Sequence, residues 1–365
     1  MSKLDELIQE LCPNGVEYKT LAELLKITTG KLNANAMVEN GQYAFFTCAE
    51  TPYYIDTFAF DCEAILISGN GSKVGHINHY IGKFNAYQRT YVLFDFNQKL
   101  NVKFLYYYLK TTLKPYILDK QKDGSVPYIT LPMLEQFVIP FPAKEIQNEI
   151  VQILDNFTKL ETQLKKELNA RKKQYEYYRD KLLNFDKNIN HKTIKEICNS
   201  LTKKTLKKSQ LMQGEKYPVI NSGREFYGYY NKYNNETPAF CLASRGEYAG
   251  FITYIDVPFW AGGLCYPYAS KTQEISTKFI YYYLKSKEQH IMDVVVDRGS
   301  IPALNKTNIE KYKIPTPPIE TQNKIVQILD NFKNLITKLE NEIEARQKQY
   351  EYYRDKLLTF KEKTA

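Results

Sequence analysis

The chain has 365 residues, 43% of them hydrophobic and 25% charged, with a formal net charge of +9. At about 150 residues per domain this length predicts two domains or slightly more, and the apolar share excludes wholesale disorder. No apolar run reaches the 18 residues of a membrane span, and the N-terminus lacks the basic-then-apolar order of a secretory signal. Six cysteines (Cys12, Cys48, Cys62, Cys198, Cys241, Cys265) stand far apart with no C-x-x-C pair. They exclude zinc ribbons and read as free thiols of a reducing cytoplasm. A basic balance favours a polyanionic partner. The abundance of Lys, Asn, Ile and Tyr is also what an AT-rich genome writes, so total charge carries little weight alone.

In chain order, residues 1–15 hold a segment apolar at Leu4, Leu7, Ile8 and Leu11, the pattern of a short amphipathic helix. Residues 16–143 form a front domain. Its β-type runs at 64–67 and 90–94 are separated by Gly, Asn and Pro, and a Tyr-rich helix follows at 103–110. Residues 144–188 read as one long helix. A second front domain spans 189–317, with a strand at 239–242 and a Tyr-rich helix at 278–285, and a second long helix spans 318–365.

The chain is a repeat. Residues 147–185 return at 322–360 with 28 of 39 positions identical, an offset of 175. Upstream, 103–110 matches 278–285, Gly124-Ser125 matches Gly299-Ser300, and Ile139-Pro140 matches Ile314-Pro315. Further up the match is faint: 19–21 pairs with 192–194. Each copy therefore has a variable front and a nearly constant tail.

The tails carry a coiled-coil seam with 4-3 spacing. In the first it runs Ile150, Ile153, Phe157, Leu160, Leu164, Leu168, Tyr175, Tyr178, Leu182, with Arg171 at one interior step. In the second it runs Ile325, Ile328, Phe332, Leu335, Leu339, Ile343, Tyr350, Tyr353, Leu357. One 4-4 step in each is a stutter, which locally unwinds a supercoil. Pro142 and Pro317-Pro318 mark the helix starts. Each helix is ~40 residues and ~60 Å long, and only a few residues separate the first from the second front domain. An antiparallel pair satisfies that short link, whereas a parallel pair needs a long return. The predicted fold is α+β: two tandem α/β domains, each with a small curled sheet, separated by two long antiparallel coiled-coil helices in a pseudo-two-fold arrangement.

Chemical motifs are sparse. The glycine-rich 67–75 lacks the spacing of a P-loop or dinucleotide fingerprint, which leaves a plain turn or a loop facing nucleic acid. Thr316-Pro-Pro-Ile319 has neither the amide nor the aromatic of a methyltransferase active site, and His76, His79, His191 and His290 form no metal motif. What remains is polar and basic residues in Gly/Asn-rich loops. In the first domain these are Lys31, Asn33, Asn35, Asn70, Ser72, Lys73, Asn85, Gln88 and Arg89. In the second they are Lys203, Lys204, Lys207, Lys208, Ser209, Arg224, Arg245 and Arg298. Arg, Asn and Gln make bidentate contacts to base edges and Lys positions on phosphate. A solvated polar loop explains any one of them equally well; the set, on two diverged copies, favours recognition. The second front domain carries a net +7 against +1 for the first.

The doubled pattern Ile139-Pro-Phe-Pro142 with Gln147, and Ile314-Pro-Thr-Pro-Pro318 with Gln322, resembles the specificity (S) subunit of type I restriction-modification systems. In each copy it is preceded by the Gly-Ser turn and followed by the long helix. One departure is Ile146-Gln147 and Thr321-Gln322 in place of the usual Glu-Gln, a detail of the helix start. The resemblance implies two target-recognition domains, each reading half of a bipartite double-stranded DNA site. It implies paired helices that set the gap and hold two methyltransferase (M) subunits, with restriction (R) subunits joining. It further implies no catalysis and no cofactor on this chain; S-adenosylmethionine, ATP and Mg belong to the partners. The rival readings are a stand-alone methyltransferase or nuclease with an unrecognised site, and a structural coiled-coil adaptor.

Overall fold

The computed structural model describes residues 3–120, 128–186, 188–212, 214–236 and 238–363. The Gly124-Ser125 turn lies outside them. Two compact units result, one of Met1–Leu164 with Glu342–Ala365 and one of Lys165–Asn341. The helices Lys144–Leu182 and Ile319–Leu357 each contribute to both. No helix among the described residues is long and apolar enough to cross a membrane.

In the first unit the strands Tyr18–Thr20 and Val138–Pro140 pair antiparallel as a neck. Beyond it lies a six-stranded sheet. Its order is Lys26–Thr29, Thr90–Phe94, Phe60–Ser68, Ile77–Ala86, Tyr43–Phe46, Tyr53–Ile55. Side chains alternate along a strand, so Ile65 and Ile67 pack with the helix Val102–Asp119 while Ala64 and Leu66 meet Phe46, Phe84 and Val92. Asn101 caps that helix, its side-chain oxygen accepting from the Lys103 and Phe104 amides. Leu105, Leu109, Leu113 and Ile117 face the sheet; Phe104 and Tyr107 face Ile146, Ile150 and Leu154 of the long helix. The helix runs nine residues past the 110 expected from sequence. Pro115 lies inside this helix, and Leu113 and Ile117 on either side of it are buried.

The second unit repeats the plan with the sheet divided. Its neck pairs His191–Thr193 with Lys313–Pro315. Four strands follow in the order Cys198–Ser200, Cys265–Ser270, Ala239–Ala243, Ile252–Ile255, and three in the order Gly228–Tyr230, Tyr217–Ile220, Trp260–Ala261. The helix Thr277–Ser286 is capped by Ser276. Thr193 and Glu196 form a capping box below the neck, and Glu23 accepts in the same way from the Thr20 amide.

The two long helices run antiparallel within each unit. Phe157 stacks on Tyr353 at 5.8 Å in the first. In the second, Tyr178 stacks on Phe332 at 5.4 Å and Lys172 pairs with Glu340 at 2.7 Å. Burial varies along the seam. Ile150, Ile325 and Ile343 are buried, but Tyr178, Ile328, Leu335 and Tyr353 stay 36–39% exposed. Two helices alone close only one side of such a stripe. The fully buried Leu154 and Leu329, outside the expected seam, face the front domains instead.

The chain ends meet in the first unit. The Val16 amide donates to the Lys361 carbonyl at 2.8 Å, and the Lys363 amide donates to that of Val16 at 3.0 Å. Gly15 has φ +101, and a Cβ there would sit 2.8 Å from two carbonyl oxygens of 361 and 362, so only glycine fits. The helix Lys3–Leu11 buries Leu4 beside Ile150, Leu154 and Leu358; Leu11, expected on the apolar face, is 41% exposed. At mid-chain the Ile189 amide donates to the Asp186 carbonyl at 3.1 Å, the contact that Val16 and Lys361 make across the ends. A permutant joined from 365 to 1 by a short linker and opened between Asp186 and Asn190 should therefore fold with a single cooperative melt near that of the parent. Loss of the melt would show that the Asp186–Ile189 connection is itself required.

Candidate nucleic-acid interface

The strand Phe60–Ser68 ends in the glycine loop. Gly71 and Gly75 take φ of +83 and +75, and the Gly75 amide closes the loop onto the Ser68 carbonyl at 2.9 Å. The positive φ values explain the glycines without any phosphate cradle. Next to the loop, the Thr90 amide donates to the Tyr87 carbonyl at 2.8 Å, a tight turn with Gln88 and Arg89 exposed at its tip. Backbone bonds lock the pieces together: Gly69 donates to Arg89 at 2.9 Å, Gln88 to Leu32 at 2.9 Å and Ile129 to Gly69 at 2.8 Å. They enclose a groove of about 430 Å³ lined by Thr29, Gly69, Asn70, Gln88, Arg89, Tyr91, Tyr128 and Ile129.

Asn70, Gln88 and Arg89 thus share one groove. Lys31 is an exposed neighbour through the Leu32 contact, with Asn33 and Asn35 exposed on the same loop. Ser72 is exposed in the glycine loop. Asn85 is a correction. It is 5% exposed, its amide reaching Thr57 and its oxygen accepting from the Ala86 amide at 3.0 Å; it holds the strand end. Lys73 is tied to Glu50 at 2.5 Å. His76 meets the Glu50 carbonyl and His79 the Glu63 carboxylate, so the two imidazoles serve separate contacts. Thr29, Tyr91 and Tyr128 line the groove without having drawn notice in the sequence; each lies in a strand or beside a distant loop.

In the second unit Lys204, Lys207, Lys208, Ser209 and Arg245 are exposed. The four cations among them make no side-chain ion pair within the described residues. Three other candidates are engaged. The Lys203 ammonium donates to the Gly263 carbonyl at 3.1 Å and sits 4.4 Å over the Tyr266 ring, and partial burial lowers its pKa. Arg224 stacks on Tyr248 at 5.0 Å. Arg298 pairs with Asp293 at 2.5 Å. These three serve their own domain first.

Both front domains are fixed to the long helices by matching polar contacts. The Gln147 side chain is fully buried. Its oxygen accepts from the Asn101 amide at 2.7 Å, and its nitrogen donates to the Lys99 and Pro142 carbonyls at 3.2 and 2.8 Å. Gln322 does the same with Ser276 at 2.9 Å, Glu274 at 3.2 Å and Pro317 at 2.7 Å. Tyr107 donates to Asp155 at 2.7 Å and Tyr282 to Asp330 at 2.5 Å. Burial, then these carboxylates, raises both phenol pKa values, so both remain donors. The departure at the helix start thus leaves the working residue, the glutamine, in place.

Fold and site together define the class: two domains of one design, each carrying exposed polar and basic loops and each held on long helices by a buried glutamine latch. The family model of the type I restriction modification DNA specificity domain matches residues 13–171 and again 186–346. The chain is 29% identical over 380 residues to a type I restriction enzyme specificity subunit of Haemophilus influenzae, covering 94% of this chain and 96% of that one. It is 29% identical over 364 residues to the EcoR124I/EcoR124II specificity subunit of Escherichia coli, covering 84% and 88%. In fold it matches the crystal structure of a type I restriction-modification S subunit from M. genitalium, with a TM-score of 0.70 at 21% identity over 94% and 96% of the two chains. The chain belongs to the type I restriction-modification DNA specificity family and is a specificity subunit.

Proposed function

We propose that each front domain reads one half of a bipartite double-stranded DNA target. The long helices set the spacer and dock two methyltransferase subunits, and restriction subunits complete the assembly. The chain does no chemistry itself: S-adenosylmethionine, ATP and Mg act on the partner subunits, in the cytoplasm. The observation that carries this reading is one domain frame present twice with differently lined loops, each domain latched to its helix by an equivalent glutamine. In the second unit the partly exposed Tyr178, Ile328 and Leu335 of the long helices supply apolar surface for the docking. The test is to assemble the chain with its methyltransferase subunits and map the methylated bases. Two short half-sites at a fixed spacing are expected. Methylation or cleavage by the chain without partners would favour the enzyme reading, and no DNA affinity in the assembly would favour a mere adaptor.

A further inference from the structure

The loops that line the first unit's groove and the matching loops of the second unit share one backbone frame. In the first unit Gly69 donates to the Arg89 carbonyl at 2.9 Å, Ile129 donates to that of Gly69 at 2.8 Å, and Asn70 bridges to Tyr128. At an offset of 175, Ser244 donates to Leu264 at 2.9 Å, Leu304 to Ser244 at 2.9 Å, and Arg245 bridges to Ala303. Tyr87 donates to Phe46 at 2.9 Å, and Gly262 donates to Ile220 at 2.8 Å. The left-handed glycines coincide as well: φ is +83 and +75 at Gly71 and Gly75, +96 and +90 at Gly246 and Gly250. Four positions therefore occupy equivalent places in the two frames. The first unit holds Asn70, Gln88, Arg89 and Tyr128; the second holds Arg245, Gly263, Leu264 and Ala303.

The frame is the same and all four side chains differ. If these positions served folding, they would be buried or bonded as Gln147 and Gln322 are. Instead Gln88, Arg89 and Arg245 are exposed and have no side-chain partner among the described residues, and Leu264 is 43% exposed. Asn70 is partly engaged, its oxygen accepting from the Cys48 thiol at 3.1 Å, and Gly263 lies close against Thr205. The free readers on this constant support are Gln88, Arg89, Arg245 and Leu264, and a variable exposed lining is what sequence discrimination requires of a surface.

We propose that these four equivalent positions are the specificity-determining positions of each unit, an inference that rests on the DNA-reading function above. The first groove reads through the turn tip, where Arg89 addresses a guanine edge and Gln88 the adenine edge of a neighbouring pair. The second unit has neither polar side chain at its tip, where Gly263 and Leu264 stand, and reads from the glycine loop as well. There Arg245 takes the guanine contact, and Leu264 offers apolar contact to a thymine methyl.

The experiment uses the full chain assembled with its methyltransferase subunits on a random-sequence duplex library, with modified sites mapped. Arg89→Ala should relax one base position in one half-site, losing about 10- to 100-fold discrimination there, while the other half-site is unchanged. Arg89→Gln, which replaces a guanine reader with an adenine reader, should shift the preferred base at that position. Arg245→Ala should relax one position of the other half-site. Equal weakening at all sequences with a shallower salt slope would make these residues phosphate contacts and overturn the proposal, as would unchanged discrimination. If the parent assembly itself shows no bipartite target, the underlying DNA-reading function fails instead, and the two failures are told apart by that control.

Discussion

Gln147→Leu should lower the stability of the first unit by about 3 kcal/mol, the cost of leaving buried polar groups unpaired. Leucine fills nearly the same volume, so packing is kept while three bonds vanish: the Asn101 amide and the Lys99 and Pro142 carbonyls lose their partner. Each unsatisfied buried group costs about 1–3 kcal/mol, and Gln147 has no exposed surface from which water could substitute. The damage spreads, because Asn101 also caps the helix Val102–Asp119. Gln322→Leu removes the matching bonds to Ser276, Glu274 and Pro317, so its loss should be the same within ~1 kcal/mol. Denaturant unfolding of the two variants measures both. A loss under ~1 kcal/mol in either would mean that the latch relaxes and that the front domain is held by its apolar contacts alone.

The long helices were legible in sequence because their signal is local and doubled: the seam and the helix starts can be read within 40 residues. The front domains were less legible because their pairings are distant. The neck joins Tyr18–Thr20 to Val138–Pro140, and Tyr43–Phe46 lies parallel to Ile77–Ala86; no window of sequence contains both partners. The same limit applies to the groove. Polar character marked Asn70, Gln88 and Arg89, but Thr29 and Tyr128 join them only through the fold. Residue type also says nothing of facing, so Asn85 looked like a reader although its amide holds the strand end against Thr57. Lys73 and Arg298 looked available although Glu50 and Asp293 lie within reach. The extra seam exposure had a physical cause that spacing cannot reveal, since a heptad stripe does not state how many helices cover it.

Exchanging the first front domain for the second within this chain should rewrite half of the DNA target. Replacing residues 18–140 by a copy of 191–315 cuts at the two necks, where both chain crossings sit side by side in one short strand pair. The incoming domain meets a helix surface it already fits. Ser276 finds Gln147 where Gln322 was, Tyr282 and Lys278 find Asp155 in place of Asp330, and Phe279 finds Ile150 and Leu154 in place of Ile325 and Leu329. One contact lacks its counterpart. Lys333 donates to the Tyr281 hydroxyl at 3.0 Å and packs over two rings, and Thr158 stands at the matching position, so Thr158→Lys belongs in the exchange. The assembled complex should then modify a target whose two halves carry the same sequence, the one now read by residues 191–315. At about 1–3 kcal/mol per mismatched base pair, a half-site of a few pairs gives ~1,000-fold or greater preference for the new target over the old. Mapping the methylated bases decides it. Retention of the original first half-site would place base reading outside 18–140, and a change in both halves would mean that the two domains do not read independently.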